Sequence, residues 1–236
     1  MPSILSAGLL MLLSPGVSAS VAEPAPAPAD CSFMDEAGEP VRSILKRLTG
    51  PEVPIVIPKF YFGGPFVYPK DGQPGQDGTL LLYMHRANPM PYPIPQMKGK
   101  LERGIQDWIS VLAFDFISIE VSAAATLSVY TRSTRNGETL DTPRYDYGLY
   151  RYAIPEDLND SKIDLYFAGD PDRKTDVIHC GRVGPYGKTN PQCEQTTVLH
   201  GIKTIYTYNR RYLHDWQNMK ANVARLIYCI TNPKDI

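Results

Sequence analysis

Four residues of the kinds that bind zinc lie close together in the second half of the chain: His179, Cys180, Cys193 and His200. Their spacing makes a poor ribbon. Neither half has the short Cys-x-x-Cys or His-x-x-x-His clip that brings two ligands to tetrahedral distance. Nucleophilic catalysis by either cysteine beside either histidine needs a free thiolate, which a disulfide would remove. Residues 181–192, between Cys180 and Cys193, are rich in Gly, Pro and Asn and turn back easily, so these two cysteines are expected to pair. That leaves Cys31 and Cys229, which would tie the two ends of the domain together if they are bonded. Four cysteines allow three connectivities.

The acidic residues give no sharper chemistry. A calcium loop starting at Asp157 would carry Lys162 where the turn needs Gly and Ala168 where the bidentate Glu belongs, so a polar turn is the better reading. Asp170, Asp172 and Asp176 cluster around Pro171 and read as a solvated loop. Carboxylate pairs drawn from Glu120, Glu138, Glu156 or Asp170 would suit glycoside hydrolysis only at a defined separation, and no pair stands out. The nucleophile elbow, the zinc-protease helix, the phosphate loop and the dinucleotide fingerprint are all missing. We therefore assign no catalytic residue, metal ligand or cofactor. A hydrolase would have to gather two or more of Glu156, Asp170, Asp172, His179 and His200 in one cleft.

The elements that must position these residues are mostly strands. Residues 53–62, 79–85, 127–131, 148–154, 163–167, 175–179 and 203–208 are short β-rich runs. Residues 105–122 mix helix and strand signals, and their β-branched and aromatic content favours one long strand. Residues 135–138, Arg-Asn-Gly-Glu, suit a hairpin turn. A short helix is expected over 40–49, with Pro40 in its first turn, Val41, Ile44, Leu45 and Leu48 on one face, and Gly50-Pro51 as its stop. The clearest element is a C-terminal amphipathic helix, in which Leu213, Trp216, Met219, Val223, Leu226 and Ile227 recur at helical spacing after an Asn209 cap. The fold class is α+β: a predominantly antiparallel β-sheet with a short N-terminal helix and a C-terminal amphipathic helix.

Residues 4–13 are apolar and are followed by small residues around Ala19 and Ala22, the layout of a cleavable secretory signal over 1–22. The basic segment that usually precedes such a core is missing, which a start codon placed too late would explain. Residues 23–30 are an Ala/Pro linker, and a single disulfide-stabilised, β-rich domain is expected over 31–236. The apolar stretch is about half the roughly 20 residues a spanning helix needs, so no stable membrane insertion is expected. The residues before Cys31 lack a lipobox. Basic and acidic side chains number 24 and 25, a balance with no electrostatic footprint for nucleic acid. The expected location is periplasmic or secreted.

Asp164-Leu165-Tyr166-Phe167, then Cys180, the turn Asn190-Pro191-Gln192-Cys193, and the run from Thr207 through Asn209-Arg210-Arg211-Tyr212 to Trp216 together resemble periplasmic immunity-type proteins associated with type VI secretion effectors. The likeness covers residues 145–230. It implies an exported binding protein that neutralises a secreted antibacterial toxin, its cognate partner, by direct contact. The protruding loops would then supply the contacts: Tyr68 in 65–78, Tyr92 in the Pro-rich segment 88–96, Asn136 in its turn, and Tyr186 near the tip of the 180–193 loop. Different readings are a periplasmic hydrolase with a dispersed carboxylate and histidine site, or a structural protein of the cell envelope.

Overall fold

The computed structural model describes residues 30–47, 50–62, 73–74, 79–103, 105–114, 118–130, 144–152, 163–170, 173–182 and 190–232. The segments expected as a signal peptide (1–22) and a linker (23–30, of which only Asp30 is described), the turn expected at 135–138, the segment from Asp157, and Tyr68, Asn136 and Tyr186 lie outside them. The described residues form two sheets and three α-helices.

Strands β1 (Pro40–Leu45), β2 (Val53–Pro58) and β3 (Gln73–Pro74) form a small sheet in the order β2-β1-β3. The large sheet contains β4 (Leu80–His85), β5 (Trp108–Ala113), β6 (Arg144–Asp146), β7 (Leu149–Arg151), β8 (Ile163–Asp170), β9 (Arg173–Gly181), β10 (Gln192–Leu199) and β11 (Ile202–Asn209). Its order is β4-β5-β11-β10-β9-β8-β7-β6, and every neighbouring pair is antiparallel. The helices are α1 (Ile94–Glu102), α2 (Ile119–Tyr130) and α3 (Trp216–Thr231). The architecture is thus α+β with a mainly antiparallel sheet, as expected.

Three elements depart from expectation. Residues 40–45 form a strand, because Val41, Ser43 and Leu45 alternate inward while β1 pairs along its length with β2. The helical spacing seen in the sequence is also compatible with that period of two, and the neighbouring strand decides. Pro54 and Pro58 are tolerated because β2 is an edge strand. Residues 105–122 split into strand and helix: the Ser118 hydroxyl accepts from the Val121 amide at 3.3 Å and caps α2. The run Ala123-Ala124-Ala125 then propagates a helix through residues 127–130, which were expected as strand. Finally, residues 94–102 are helical, with Pro95 in the first turn, where no amide donor is required.

Alternation along the large sheet sends Leu82, Val111, Tyr206, Gln195, Ile178 and Tyr166 to one face, in one row of paired residues. That face meets the small sheet and the buried side of α3, where Trp216, Met219, Val223, Leu226, Ile227 and Ile230 join the main core. Helix α2 packs on β9 and β10. Lys203 of β11 helps hold it there, bonding to the Ser122 hydroxyl and lying over the Phe114 ring. Cys31 is bonded to Cys229 of α3, tying the start of the described domain to its last helix.

Two hairpins close on two-residue turns with both central φ angles positive: Tyr147-Gly148 (55° and 75°) and His200-Gly201 (49° and 75°). Asn-Gly is the usual sequence for such a turn. A tyrosine or histidine in the first position carries strain of about 1 kcal/mol or more.

Candidate functional site

The row of the large sheet that carries Cys180 and Cys193 also carries Asp164 on one side and Tyr208 on the other. Cys180 and Cys193 are directly opposite one another and are bonded, locking β9 to β10 at this row. The bond also removes both thiolates from the zinc set and from nucleophilic chemistry.

Asp164 is 2% exposed and is surrounded by arginines. Its Oδ1 accepts from Arg151 Nη2 at 2.7 Å and from Arg182 Nε at 2.8 Å, and its Oδ2 accepts from Arg210 Nη2. Arg210 is fixed a second time, donating through Nη1 to the carbonyl oxygen of Gly181 at 2.8 Å. Burial pushes the Asp164 carboxyl upward, but the hydrogen bond and charge of Arg210, with those of Arg182 and Arg151, outweigh it and hold the group below the ordinary carboxylate value. A buried carboxylate with three guanidinium partners is satisfied. Arg151 also lies 3.8 Å from Asp146 Oδ2, so a second carboxylate faces the cluster.

A cleft of about 570 Å³ opens beside this cluster. Arg151 reaches it from the end of β7, Arg210, Arg211 and His214 from the 3-10 turn Arg210–Asp215, and Tyr147 from the β6–β7 hairpin. The 3-10 turn is set by Asn209, whose Oδ1 accepts from the Arg211 amide and from Arg211 Nε, both at 3.0 Å. Its far end is held by Asp215, which accepts from Arg86 Nη1 at 2.6 Å, while the Arg86 guanidinium lies 4.2 Å over the Tyr212 ring. Tyr147 is 59% exposed despite its ring. Its carbonyl oxygen accepts from Trp216 Nε1 at 3.0 Å, so the hairpin tip is fastened to the head of α3. Tyr166, Pro191 and Leu213 add apolar wall. The result, among the described residues, is a depression lined by arginine and tyrosine on a frame fixed by a disulfide and by buried ion pairs, offering guanidinium donors beside apolar surface.

The residues singled out from the sequence stand elsewhere. Tyr92 is fully buried: its hydroxyl donates to Asp107 Oδ1 at 2.8 Å and its ring packs against Trp108. The Pro-rich segment folds back along β4, with the Tyr92 amide donating to the Tyr83 carbonyl and the His85 amide to the Met90 carbonyl. Tyr92 is therefore a core residue covering a sheet edge and offers no contact surface. His179 faces Glu194 across the β9–β10 pair. Burial lowers its imidazole pKa, against the pull of that carboxylate. His200 sits in its turn against Tyr228. Asp176 is buried, accepting from Lys220 Nζ at 2.7 Å and Gln195 Nε2 at 2.9 Å, and so is no part of a solvated loop. The cleft is lined by none of Asp170, His179 and His200. Among the described residues, no three His, Cys, Asp or Glu side chains are placed to hold a metal, and no helix is long and apolar enough to cross a membrane.

Sequence reasoning missed Arg151, Arg210, Arg211 and Tyr147 as a group. The available signal was Asn209-Arg210-Arg211: a capping residue and two arginines directly after a strand. Asp164 and Arg151 come from other strands, and only the sheet order brings them there.

No protein-family model matches the chain, and no curated protein matches it. Among solved structures, the fold is similar to that of an immunity protein of the Stenotrophomonas maltophilia type IV secretion system, with a TM-score of 0.50 and 17% identity over 81% of this chain and 92% of that one. An iron-regulated outer membrane lipoprotein of Neisseria meningitidis matches with a TM-score of 0.48 and 12% identity, over 87% of this chain and 97% of that one. At 17% identity the first likeness is one of fold alone.

Proposed function

We propose that the chain is an exported binding protein that neutralises a secreted antibacterial toxin by direct contact, as an immunity factor. The observation that carries this reading is the cleft lined by Arg151, Arg210 and Arg211 with the exposed Tyr147 at it, a composition of arginine and tyrosine suited to gripping a protein partner. The two disulfides fit an oxidising compartment outside the cytoplasm, and the signal segment 1–22 with its linker 23–30 would deliver the chain there. The fold shared with an immunity protein supports the same class. The sequence resemblance points to type VI effectors, whereas the structural neighbour serves a type IV system; neutralisation of a secreted toxin is common to the two and is the function proposed here.

The test is capture. Mature chain, residues 23–236, is immobilised under oxidising conditions and offered the toxin-like product of the neighbouring gene. Stoichiometric capture with loss of toxin activity is the expected result. Failure to capture, or capture that leaves the toxin active, would overturn the immunity reading.

A further inference from the structure

The large sheet ends on β6 at one side, next to the Tyr147 hairpin, and on β4 at the other. We propose that the open half of β4, at Leu81, receives an extended segment of a protein partner, which joins the sheet as a further strand and sets an apolar side chain beside Leu81. This surface rests on the binding-protein reading and adds the way in which a partner is held.

The backbone of β4 shows which of its groups are open. The Tyr92 amide donates to the Tyr83 carbonyl at 3.1 Å and the His85 amide to the Met90 carbonyl at 2.8 Å, so Tyr83 and His85 turn their backbone groups away from β5. In a strand the N–H and C=O of every second residue point to the same side. Leu81 therefore points outward as well, while Leu80, Leu82 and Met84 bond to β5. The Pro-rich segment covers only the far half of the edge, because Pro93 has no amide to offer and α1 leads the chain away from Ile94. Among the described residues, the N–H and C=O of Leu81 and the N–H of Tyr83 have no hydrogen-bond partner.

The edge is also unguarded. Open edges accept a further strand, and proteins protect them with proline, charge or short length. Strand β2 carries Pro54 and Pro58, β3 is two residues long and contains Pro74, and β6 is three residues long with Arg144 and Asp146. Residues 79–83, Thr-Leu-Leu-Leu-Tyr, carry neither proline nor charge. Leu81 is 37% exposed and stands in one row with Leu112 and Ile205, both half-buried. An apolar residue opposite Leu81 would extend that row.

Register argues against a second copy of the chain as the occupant. Antiparallel pairing of two copies about Leu81 would bring Thr79 of one opposite Tyr83 of the other, where Tyr92 already binds. The edge suits a partner segment that ends or turns at the Pro-rich cover, held by backbone bonds as in strand addition.

The experiment uses the mature chain, residues 23–236, and a fluorescein-labelled peptide of alternating Val and Thr, read by anisotropy. The peptide residue opposite Leu81 bonds to it and shares its face of the sheet. Two controls of equal size are the peptide N-methylated at every Val and the peptide N-methylated at every Thr. With Val opposite Leu81, methylation at Val removes the donors that face β4 and should weaken binding at least about tenfold, whereas methylation at Thr should leave it largely intact. Amide exchange at Leu81 and Tyr83 should slow when the parent peptide binds. Leu81→Pro removes the edge donor without touching the β4–β5 ladder and should abolish binding with the thermal midpoint little changed. Leu81→Lys, which guards the edge and keeps the amide, gives the same test where proline impairs folding. Equal binding of the two methylated peptides, no binding of the parent, unchanged exchange at Leu81, or a dimer of the free chain that either variant dissolves would overturn the proposal. The two readings fail separately. Toxin capture that survives Leu81→Lys keeps the immunity function and removes this site, whereas peptide binding at Leu81 without toxin capture keeps the site and removes the immunity function.

Discussion

The indole Nε1 of Trp216 donates to the carbonyl oxygen of Tyr147 at 3.0 Å, so the first residue of α3 holds the tip of a hairpin 69 residues earlier in the chain. Trp216→Phe keeps a ring in the core and removes the donor. We expect a loss of about 1 kcal/mol in urea denaturation, the net worth of one such bond, together with faster amide exchange over 146–149. An unchanged midpoint and unchanged exchange would mean that the turn holds itself.

Asp164→Asn leaves the volume of the side chain and removes its charge from between Arg151, Arg182 and Arg210. Breaking a buried ion pair on one side is expected to cost about 3 kcal/mol or more. The pH dependence follows from the lowered pKa. Above the ordinary value of 3.8 the carboxyl is ionised in both states and its contribution is fully present. As pH falls through the lower folded value, the group is protonated in both states and the contribution is lost. Acid denaturation curves of the natural chain and of Asp164→Asn should therefore converge below that window, and a constant gap between them would contradict the assignment.

The two disulfides act on loops of very different length, with sequence separations of 13 and 198. In the chain-entropy account, replacing Cys180 and Cys193 by Ala costs about 3 kcal/mol, and replacing Cys31 and Cys229 costs about 5 kcal/mol. The smaller loss should carry the larger effect on the cleft, because Cys180 is paired with Asp164 and Arg210 binds the adjacent Gly181 carbonyl. Amide exchange at Arg211, whose N–H is held by Asn209 at the cleft, separates the two effects when read at a temperature where both variants remain folded. Equal exchange in both variants would detach the cleft from the Cys180–Cys193 bond.

The parts of this fold that were legible are those in which one residue pattern has one physical reading. The apolar stripe from Trp216 to Ile227 needs about three turns of helix to line up, and the α3 face follows it. Val41, Ile44 and Leu45 were misread because six residues satisfy a period of two nearly as well as one of 3.6, and the pairing with β2 that decides lies outside the segment. The 105–122 segment hid a Ser118 cap because apolar residues continue on both sides of it. The cleft was the least legible feature. Asp164 and Arg210 are 46 residues apart, and neither residue type announces a partner until the strand order is known. The hairpin turns escaped notice because Tyr147 and His200 stand where Asn is the usual signal.

Tyr206 and Tyr208 are neighbours on β11 with ring centroids 6.0 Å apart, and removing their hydroxyls should have opposite effects. The Tyr208 hydroxyl donates to Gln195 Oε1 at 3.1 Å, so Tyr208→Phe is expected to cost about 1 kcal/mol. The Tyr206 hydroxyl is buried with no hydrogen-bond partner among the described residues. Tyr206→Phe should therefore be neutral or stabilising by up to about 1 kcal/mol. Equal losses in both variants, measured by urea denaturation, would show that the Tyr206 hydroxyl is satisfied in solution.

Asp176 and Lys220 form the other buried charge pair, and its energetics can be isolated. Asp176 Oδ2 accepts from Lys220 Nζ at 2.7 Å and from the Thr175 hydroxyl at 2.9 Å, while Oδ1 accepts from Gln195 Nε2 at 2.9 Å. The carboxylate has no exposed surface, so water cannot replace a lost partner. Lys220→Met keeps most of the side-chain volume and strands the carboxylate, and about 3–5 kcal/mol should be lost. Adding Asp176→Asn removes the stranded charge and leaves an oxygen for Gln195. The double variant should then be more stable than Lys220→Met alone, because the large single-variant cost comes from an uncompensated charge and not from the net worth of the pair. Additive losses across the four proteins of the cycle would show that Lys220 and Asp176 do not interact in solution and that α3 is held to β9 by apolar packing alone.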